Sequence, residues 1–161
     1  MKRHGFTIIE LIIVITVMAI LLTLSTAGMN GYQANGRDTE RKADVETIAL
    51  HLETYYTSGK DGDTAPPGQY PPTDMITNNT VRTYLRDIDD SNLAAPGKDA
   101  ASTFINASNS GAQSPTKDQY IYQPLTTSGS LCAGSSVCTK FTLYYKTEID
   151  NTTHKIASKN Q

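Results

Sequence analysis

An apolar run near the amino terminus, from Phe6 to Ala27, constrains this chain more than any other feature. Glu10 is the only ionisable side chain in the run. About 20 apolar residues are enough to cross a bilayer as a helix. A carboxylate inside such a span costs roughly 2.5 to 3.5 kcal/mol at the bilayer centre and usually signals a function. The sequence as written contains no partner for Glu10, and the alternative interpretation is a plain anchor with an accidental glutamate.

The residues before the run distinguish it from an ordinary secretion signal. No small-residue cleavage site follows the apolar stretch, as a secretory signal peptide would require. Gly5-Phe6-Thr7, followed by Glu10 and the unbroken apolar stretch, resembles the class III signal of type IV pilins and pseudopilins. This resemblance implies that prepilin peptidase removes a leader of residues 1–5 by cutting after Gly5. It also implies that the new first residue, Phe6, is N-methylated.

The cut supplies the partner that Glu10 lacks, because it gives Phe6 a cationic amino group. In a filament of parallel helices, a buried amine and a buried carboxylate are each costly alone and compensate one another when paired. We therefore assign Phe6 and Glu10 to assembly, with the Phe6 amine of one copy meeting the Glu10 of another. The resemblance implies a homo-oligomer in the form of a helical filament.

Charge at the two ends of the run predicts the orientation of the chain. Lys2, Arg3 and His4 precede the run, and the next charge after it is Arg37. Positive charge holds the amino-terminal side in the cytoplasm, so the carboxy-terminal head is expected across the membrane. The expected location is the inner (cytoplasmic) membrane for the single-pass precursor and an extracellular pilus for the assembled form. The partners implied are prepilin peptidase, the inner-membrane assembly machinery and, before assembly, the membrane.

The charge of the remaining chain bears on nucleic acid as a partner. The formal net charge is −2, and loss of Lys2 and Arg3 with the leader lowers it to −4 before the new terminus is considered. A mildly acidic head argues against the usual basic footprint of nucleic-acid binding, although it leaves a local patch open.

The two cysteines, Cys132 and Cys138, are separated by five residues. An even number of cysteines in an extracytoplasmic region indicates a disulfide. A metal pair or two free thiols is the alternative, although no nearby histidine or further cysteine supports a metal site.

A long helix is expected over residues 6–57, with an apolar half at 6–27 and an amphipathic half at 28–57. The Gly28–Gly31 patch is the expected place for a bend or an unwound turn, because glycine costs about 1 kcal/mol relative to alanine in a helix. Asp38 and Lys42 have the spacing of an ion pair on one helix face, and the charged run 37–42 is interpreted as a solvated face. A buried stripe is predicted at residues with steps of three and four: Val45, Ile48, Ala49, Leu52, Tyr55 and Tyr56.

The globular head is expected over residues 58–161. A short helix is predicted from Val81 to Ile88, and residues 92–117 have the composition of an irregular surface region. Alternating patterns predict strands at 119–125 and 139–149, with a third at 154–158. The fold class is therefore α+β: a pilin-like lollipop in which the long helix packs against a small antiparallel sheet.

Enzyme motifs are missing from the sequence. His4, His51 and His154 are scattered, and no catalytic or phosphate-binding motif is present. Asp61 and Asp63 are similar to the beginning of a calcium loop but lack its later ligands. We therefore predict no catalytic residue, no metal site and no cofactor.

Three functions fit these observations. The leading hypothesis is a structural subunit of a type IV pilus. The first alternative is a type II secretion pseudopilin, which the absence of carboxylates in the tail 155–161 disfavours, because major pseudopilins usually carry a calcium-binding loop there. The second alternative is a membrane-anchored extracytoplasmic binding domain that never polymerises, which would need neither Glu10 nor the cut.

Overall fold

The fold consists of one very long helix and a four-stranded sheet that packs on its carboxy-terminal half. The computed structural model describes residues 6–59, 67–74, 76, 80–99 and 103–160, without the side chains of residues 26–28 and 30. Asp61, Asp63 and Asn79 lie outside the described residues. The elements are α1 (Ile8–Ser58), α2 (Val81–Tyr84), a 3-10 helix (Asp90–Leu93), β1 (Phe104–Asn106), β2 (Tyr120–Leu125), β3 (Lys140–Lys146) and β4 (Thr153–Ala157).

Helix α1 is a single element of 51 residues. At 1.5 Å per residue it is about 76 Å long, more than twice the thickness of a bilayer core. It ends at Gly59, whose φ of 67° is the left-handed conformation that favours glycine, and the Gly59 N–H donates to the Tyr55 carbonyl at 2.8 Å. The prediction of an unwound turn at residues 28–31 is wrong. Two glycines cost about 2 kcal/mol, and breaking a cooperative helix there would also give up backbone hydrogen bonds on both sides.

The predicted stripe on α1 is the part of the helix that the head covers. Val45, Ile48 and Leu52 are fully buried and Tyr55 nearly so. Ala49 and Tyr56 are partly buried and pack against the same core. Each fully buried apolar side chain of this size contributes about 1.5 to 3 kcal/mol, so this stripe is the main attachment of the sheet to the helix.

The sheet has the order β1-β2-β3-β4. The three predicted strands are confirmed as β2, β3 and β4, which are paired antiparallel, and Phe141, Leu143 and Tyr145 of β3 face the core. The expectation of an irregular region at 92–117 missed β1, which pairs parallel to β2 with Phe104 opposite Tyr120. The sheet is therefore mixed rather than purely antiparallel.

The segment that connects α1 to the sheet contains a shorter α-helix than predicted. Helix α2 ends at Tyr84 instead of Ile88, because Leu85 leaves the helical conformation and Asp87 has a φ of 58°. Helical structure resumes after Asp89. The Asp89 side chain accepts from the Ser91 N–H at 3.0 Å and caps the beginning of the 3-10 helix.

A disulfide joins Cys132 and Cys138 in the connection between β2 and β3, with a Cα–Cα distance of 5.6 Å. The segment before α2 is attached to this loop: the Tyr70 N–H donates to the Cys138 carbonyl at 2.8 Å, and the Gly134 N–H donates to Asp74 Oδ1 at 2.7 Å. Closing so short a loop contributes about 2 kcal/mol in the chain-entropy model. The disulfide thus fixes the loop to which the segment before α2 is hydrogen-bonded.

Asp44 connects α1 to the sheet from a buried position, with only 5% of its surface exposed. The Tyr120 hydroxyl of β2 donates to Asp44 Oδ2 at 2.7 Å. Burial raises the pKa of Asp44 from 3.8 to about 6, although the hydrogen bond from Tyr120 opposes the shift.

Replacing Asp44 with asparagine is expected to stabilise the protein at neutral pH. The folded state raises this pKa, so folding favours the protonated carboxyl of Asp44. The stability that the protonated carboxyl gives the folded protein is complete below about pH 4 and is lost as the pH rises through 6. Asparagine keeps an acceptor for Tyr120 without the buried charge, so Asp44→Asn should raise the free energy of unfolding at pH 7 by on the order of 1 to 3 kcal/mol. Denaturant unfolding of the detergent-solubilised chain from pH 4 to pH 7.5 measures this. The gain in unfolding free energy of Asp44→Asn should disappear toward pH 4. Glu46→Gln, at an exposed position, is the control. A gain that does not depend on pH would contradict the raised pKa of Asp44.

Candidate processing and assembly site

The amino-terminal third of α1 has no partner within the described chain. Residues Ile8–Ser25 have a mean hydropathy of 2.7, and none of this segment is buried. By length and composition the segment is able to cross a membrane. Between Phe6 and Gly36, every residue with a described side chain is exposed except Ala34. So much exposed apolar surface indicates that a membrane, or other chains, must cover it.

Glu10 has partners that the sequence interpretation missed. Its backbone N–H donates to Thr7 Oγ1 at 3.3 Å, and its Oε2 accepts from the Thr7 N–H at 3.3 Å and from the Thr7 hydroxyl at 3.1 Å. This is a capping box, which Thr followed three residues later by Glu indicates from sequence alone. Glu10 therefore has hydrogen-bond partners in its own chain that the sequence analysis did not name. These donors are neutral, and no cationic partner of Glu10 lies among the residues that the structure describes.

Phe6 is the other predicted processing and assembly residue that the structure describes. Phe6 precedes the cap and has 83% of its surface exposed. Gly5 lies outside the described residues. The disulfide belongs to the head and is not part of this site, so Cys132 and Cys138 stabilise the domain that the helix carries.

Where the exposed part of α1 ends, a polar cluster attaches the helix to the turn between β3 and β4. Asp38, which is 9% exposed, accepts from the N–H of Glu148 at 2.7 Å and from the N–H of Ile149 at 3.0 Å. Arg41, which is 2% exposed, donates to Asp38 Oδ1 at 2.7 Å and, through Nε, to the Lys117 carbonyl at 2.9 Å. We call Asp38, Arg41 and the turn residues Glu148 and Ile149 the hairpin clamp.

The hairpin clamp corrects the interpretation of residues 37–42 as a solvated face. Asp38 pairs with Arg41 instead of Lys42, and Lys42 lies 3.9 Å from Glu46. Arg37 Nε donates to Glu148 Oε2 at 2.7 Å, and this hydrogen bond holds the pKa of Glu148 below its usual value. The sequence pattern could not show this arrangement, because the groups that face Asp38 are backbone amides about 110 residues away.

The parts of the chain that the structure describes contain no group of side chains placed to bind a metal ion. No group of three or more histidine, cysteine, aspartate or glutamate side chains there is placed to hold a metal ion. What the site offers is a capped helix end with one carboxylate, an exposed apolar surface, and a clamp that sets the position of the head on the helix.

Comparison with known proteins adds one finding. Residues 1–26 match the family model of the prokaryotic N-terminal methylation motif. The motif supports a type IV pilin-like or pseudopilin protein, and the long apolar helix with the small mixed sheet is consistent with a pilin-like α+β fold. The motif implies processing by prepilin peptidase and fits a membrane-anchored precursor. No curated protein and no solved structure matches the chain.

Proposed function

We propose that the protein is the structural subunit of a type IV pilus, cut after Gly5, N-methylated at Phe6 and polymerised through α1. The observation that carries this proposal is the 18-residue apolar segment Ile8–Ser25, which is wholly exposed and contains a single carboxylate, that of Glu10. A membrane covers such a segment before assembly, and neighbouring helices cover it in a filament.

The proposed organisation follows from the processing step. Residues 1–5 form the leader, residues 6–57 form the assembly helix, and residues 58–161 form the head. Within the helix, residues 6–27 enter the membrane or the filament core, and residues 28–57 hold the head. The precursor spans the inner membrane once with its head outside, and the assembly machinery transfers it into an extracellular filament.

Charge pairing supplies the step that orders the subunits. After the cut, the amine of Phe6 and the carboxylate of Glu10 are each uncompensated inside an apolar bundle, and each is stabilised when it meets the other from a neighbouring copy. The capping box holds the Glu10 side chain at the beginning of the helix, where an incoming amine has access to it. Assembly in any other register leaves both charges buried and unpaired.

Amino-terminal analysis of surface filaments tests the proposal. Filaments are sheared from cells that express the chain, and the subunit is examined by mass spectrometry; the expected amino terminus is N-methyl-phenylalanine at residue 6. Gly5→Val should block the cut and abolish filaments, whereas the matched leader variant Lys2→Gln should leave both intact. Intact Met1 in a membrane fraction without filaments would exclude the pilin assignment. A correctly cut subunit found only in short periplasmic assemblies would favour the pseudopilin.

A further inference from the structure

A long uncharged stretch of α1 separates the carboxylate of Glu10 from the guanidinium of Arg37. Residues 11–36 are about 39 Å long at 1.5 Å per residue, whereas the hydrocarbon core of a bilayer is about 30 Å thick. Because a carboxylate is costly inside the core, the core is expected to begin just past Glu10. About 20 residues then cross it, so the helix leaves the core near Gly31.

Tyr32 is the first aromatic side chain of α1 beyond this edge, and 81% of its surface is exposed. Tyrosine is enriched where a membrane meets water, because its ring is apolar and its hydroxyl is polar. We therefore expect Tyr32 to lie among the lipid headgroups on the side of the head.

The β3–β4 hairpin runs along α1 toward that membrane surface. Near the beginning of β3, Phe141 packs on Tyr70, and Tyr70 packs on Tyr56, with ring centroids 4.8 and 4.7 Å apart. The strand leads to the hairpin clamp, where Asp38 accepts from the Ile149 N–H at 3.0 Å. Asp38 is 18 residues, or about 27 Å, closer to the amino terminus of the helix than Tyr56 is. The β3–β4 turn is therefore the end of the sheet that faces the membrane.

Ile149 is an exposed apolar residue in this turn, with 59% of its surface exposed. It lines a recess beside the helix together with Asn35 and Asp38, which lie about 4.5 and 9 Å beyond Tyr32 along α1. The headgroup layer is about 5 to 8 Å thick in each leaflet. A helix tilt of about 20° toward the hairpin, which is the average tilt in membranes, brings the turn closer to this layer.

The two carboxylates of the turn have partners within the chain. Glu148 Oε2 lies 2.7 Å from Arg37 Nε, and Asp150 Oδ2 accepts from the Thr152 hydroxyl at 2.8 Å. Ile149, between these two residues, is the apolar side chain that the turn presents to its surroundings.

We propose that the β3–β4 turn rests on the lipid headgroups in the membrane-anchored precursor, with Ile149 and Tyr32 as its two contacts. This inference goes beyond the proposed function but rests on its membrane-anchored precursor. Two contacts, one on the helix and one on the head, fix both the depth and the tilt of α1. The turn must then leave the membrane when a subunit enters a filament.

Single-tryptophan fluorescence tests the contact, because the chain contains no tryptophan of its own. The full-length precursor is reconstituted in phosphatidylcholine vesicles whose acyl chains are brominated next to the headgroup. Emission from Ile149→Trp should be quenched, as that from Tyr32→Trp should be. Leu50→Trp is the matched control: Leu50 is 61% exposed on the same helix, and it lies about 27 Å beyond Tyr32, so its emission should persist.

A nitroxide on Ile149→Cys gives a second measurement, which does not depend on an aromatic ring that itself favours the interface. The native cysteines are joined to one another and add no free thiol. Paramagnetic resonance should show that the nitroxide collides more with membrane-dissolved oxygen, and less with a water-soluble nickel chelate, than a nitroxide on Leu50→Cys does.

Contact at residues 32 and 149 without contact at residue 50 supports the proposal. Contact at residue 32 alone means that the head stands clear of the membrane, and overturns it. Contact at residue 50 as well, or at none of the three, means that α1 has another depth or orientation, and also overturns it. The vesicles require neither cleavage nor filaments, so failure here leaves the pilus proposal standing, and absence of N-methylated filaments leaves this contact standing.

Discussion

Replacing Glu10 with glutamine is expected to leave the precursor cut and inserted in the membrane but to remove surface filaments. Glutamine preserves the size of the side chain and an oxygen that accepts from Thr7, so the capping box at the beginning of α1 remains. What is lost is the negative charge that, in the proposed assembly, compensates the Phe6 amine of a neighbouring copy. Leaving one member of a buried pair alone costs about 3 to 5 kcal/mol, which lowers the association constant of each subunit by more than a hundredfold. Yields of sheared filaments and immunoblots of the membrane fraction measure both effects.

Thr7→Val provides the matched comparison for Glu10→Gln. It removes the capping hydroxyl, at a cost of about 1 kcal/mol, and keeps the carboxylate. We expect it to reduce filament yield far less than the loss of charge does. Normal filament yield from correctly cut Glu10→Gln protein would show that charge pairing does not order the subunits.

Replacing Asp38 with alanine is expected to have the largest effect on the stability of the head. The change removes the acceptor for two backbone amides of the β3–β4 turn and leaves the guanidinium of Arg41 buried without its closest carboxylate. Breaking a buried pair by deleting one partner typically costs 3 to 5 kcal/mol. Denaturant unfolding of the solubilised chain at neutral pH measures the loss, and hydrogen exchange at Glu148 and Ile149 should show that the turn becomes less protected.

A double variant of the exposed pair, Lys42→Gln/Glu46→Gln, is the control for Asp38→Ala. It lies on the same helix, and its side chains are 63% and 58% exposed, so a change of about 0.5 kcal/mol or less is expected. Equal destabilisation by the two variants would mean that the hairpin clamp contributes no more than a surface ion pair.

The contrast between β1 and the other strands shows what limited prediction within the head. Strands β3 and β4 alternate in burial over seven and five positions, and β2 begins with a run of β-forming residues, Tyr120, Ile121 and Tyr122, so each has a signal in the sequence. Strand β1 has three residues in a polar segment, too few for a period. It forms because β2 offers a free edge, against which Phe104 stacks on Tyr122 with ring centroids 6.1 Å apart. Only a partner distant in sequence could create this strand.

The candidate site also combines features that the sequence indicates with features that only the fold creates. The capping box of Thr7 and Glu10 involves residues three positions apart, so its signal is present in the sequence. The hairpin clamp joins Asp38 to backbone amides that carry no sequence signature. The recess between α1 and the β3–β4 hairpin, which Ile149 lines, likewise exists only after the hairpin has packed on the helix.

The sequence by itself determined the apolar helix with its single glutamate, the cleavable leader motif, the buried stripe of α1 and three of the four strands. These features depend on periodicity and on order along the chain, which are local properties. The tertiary structure alone decided where the head sits on the helix and which charges are buried. Those depend on contacts between segments about 110 residues apart, whose geometry no local pattern encodes.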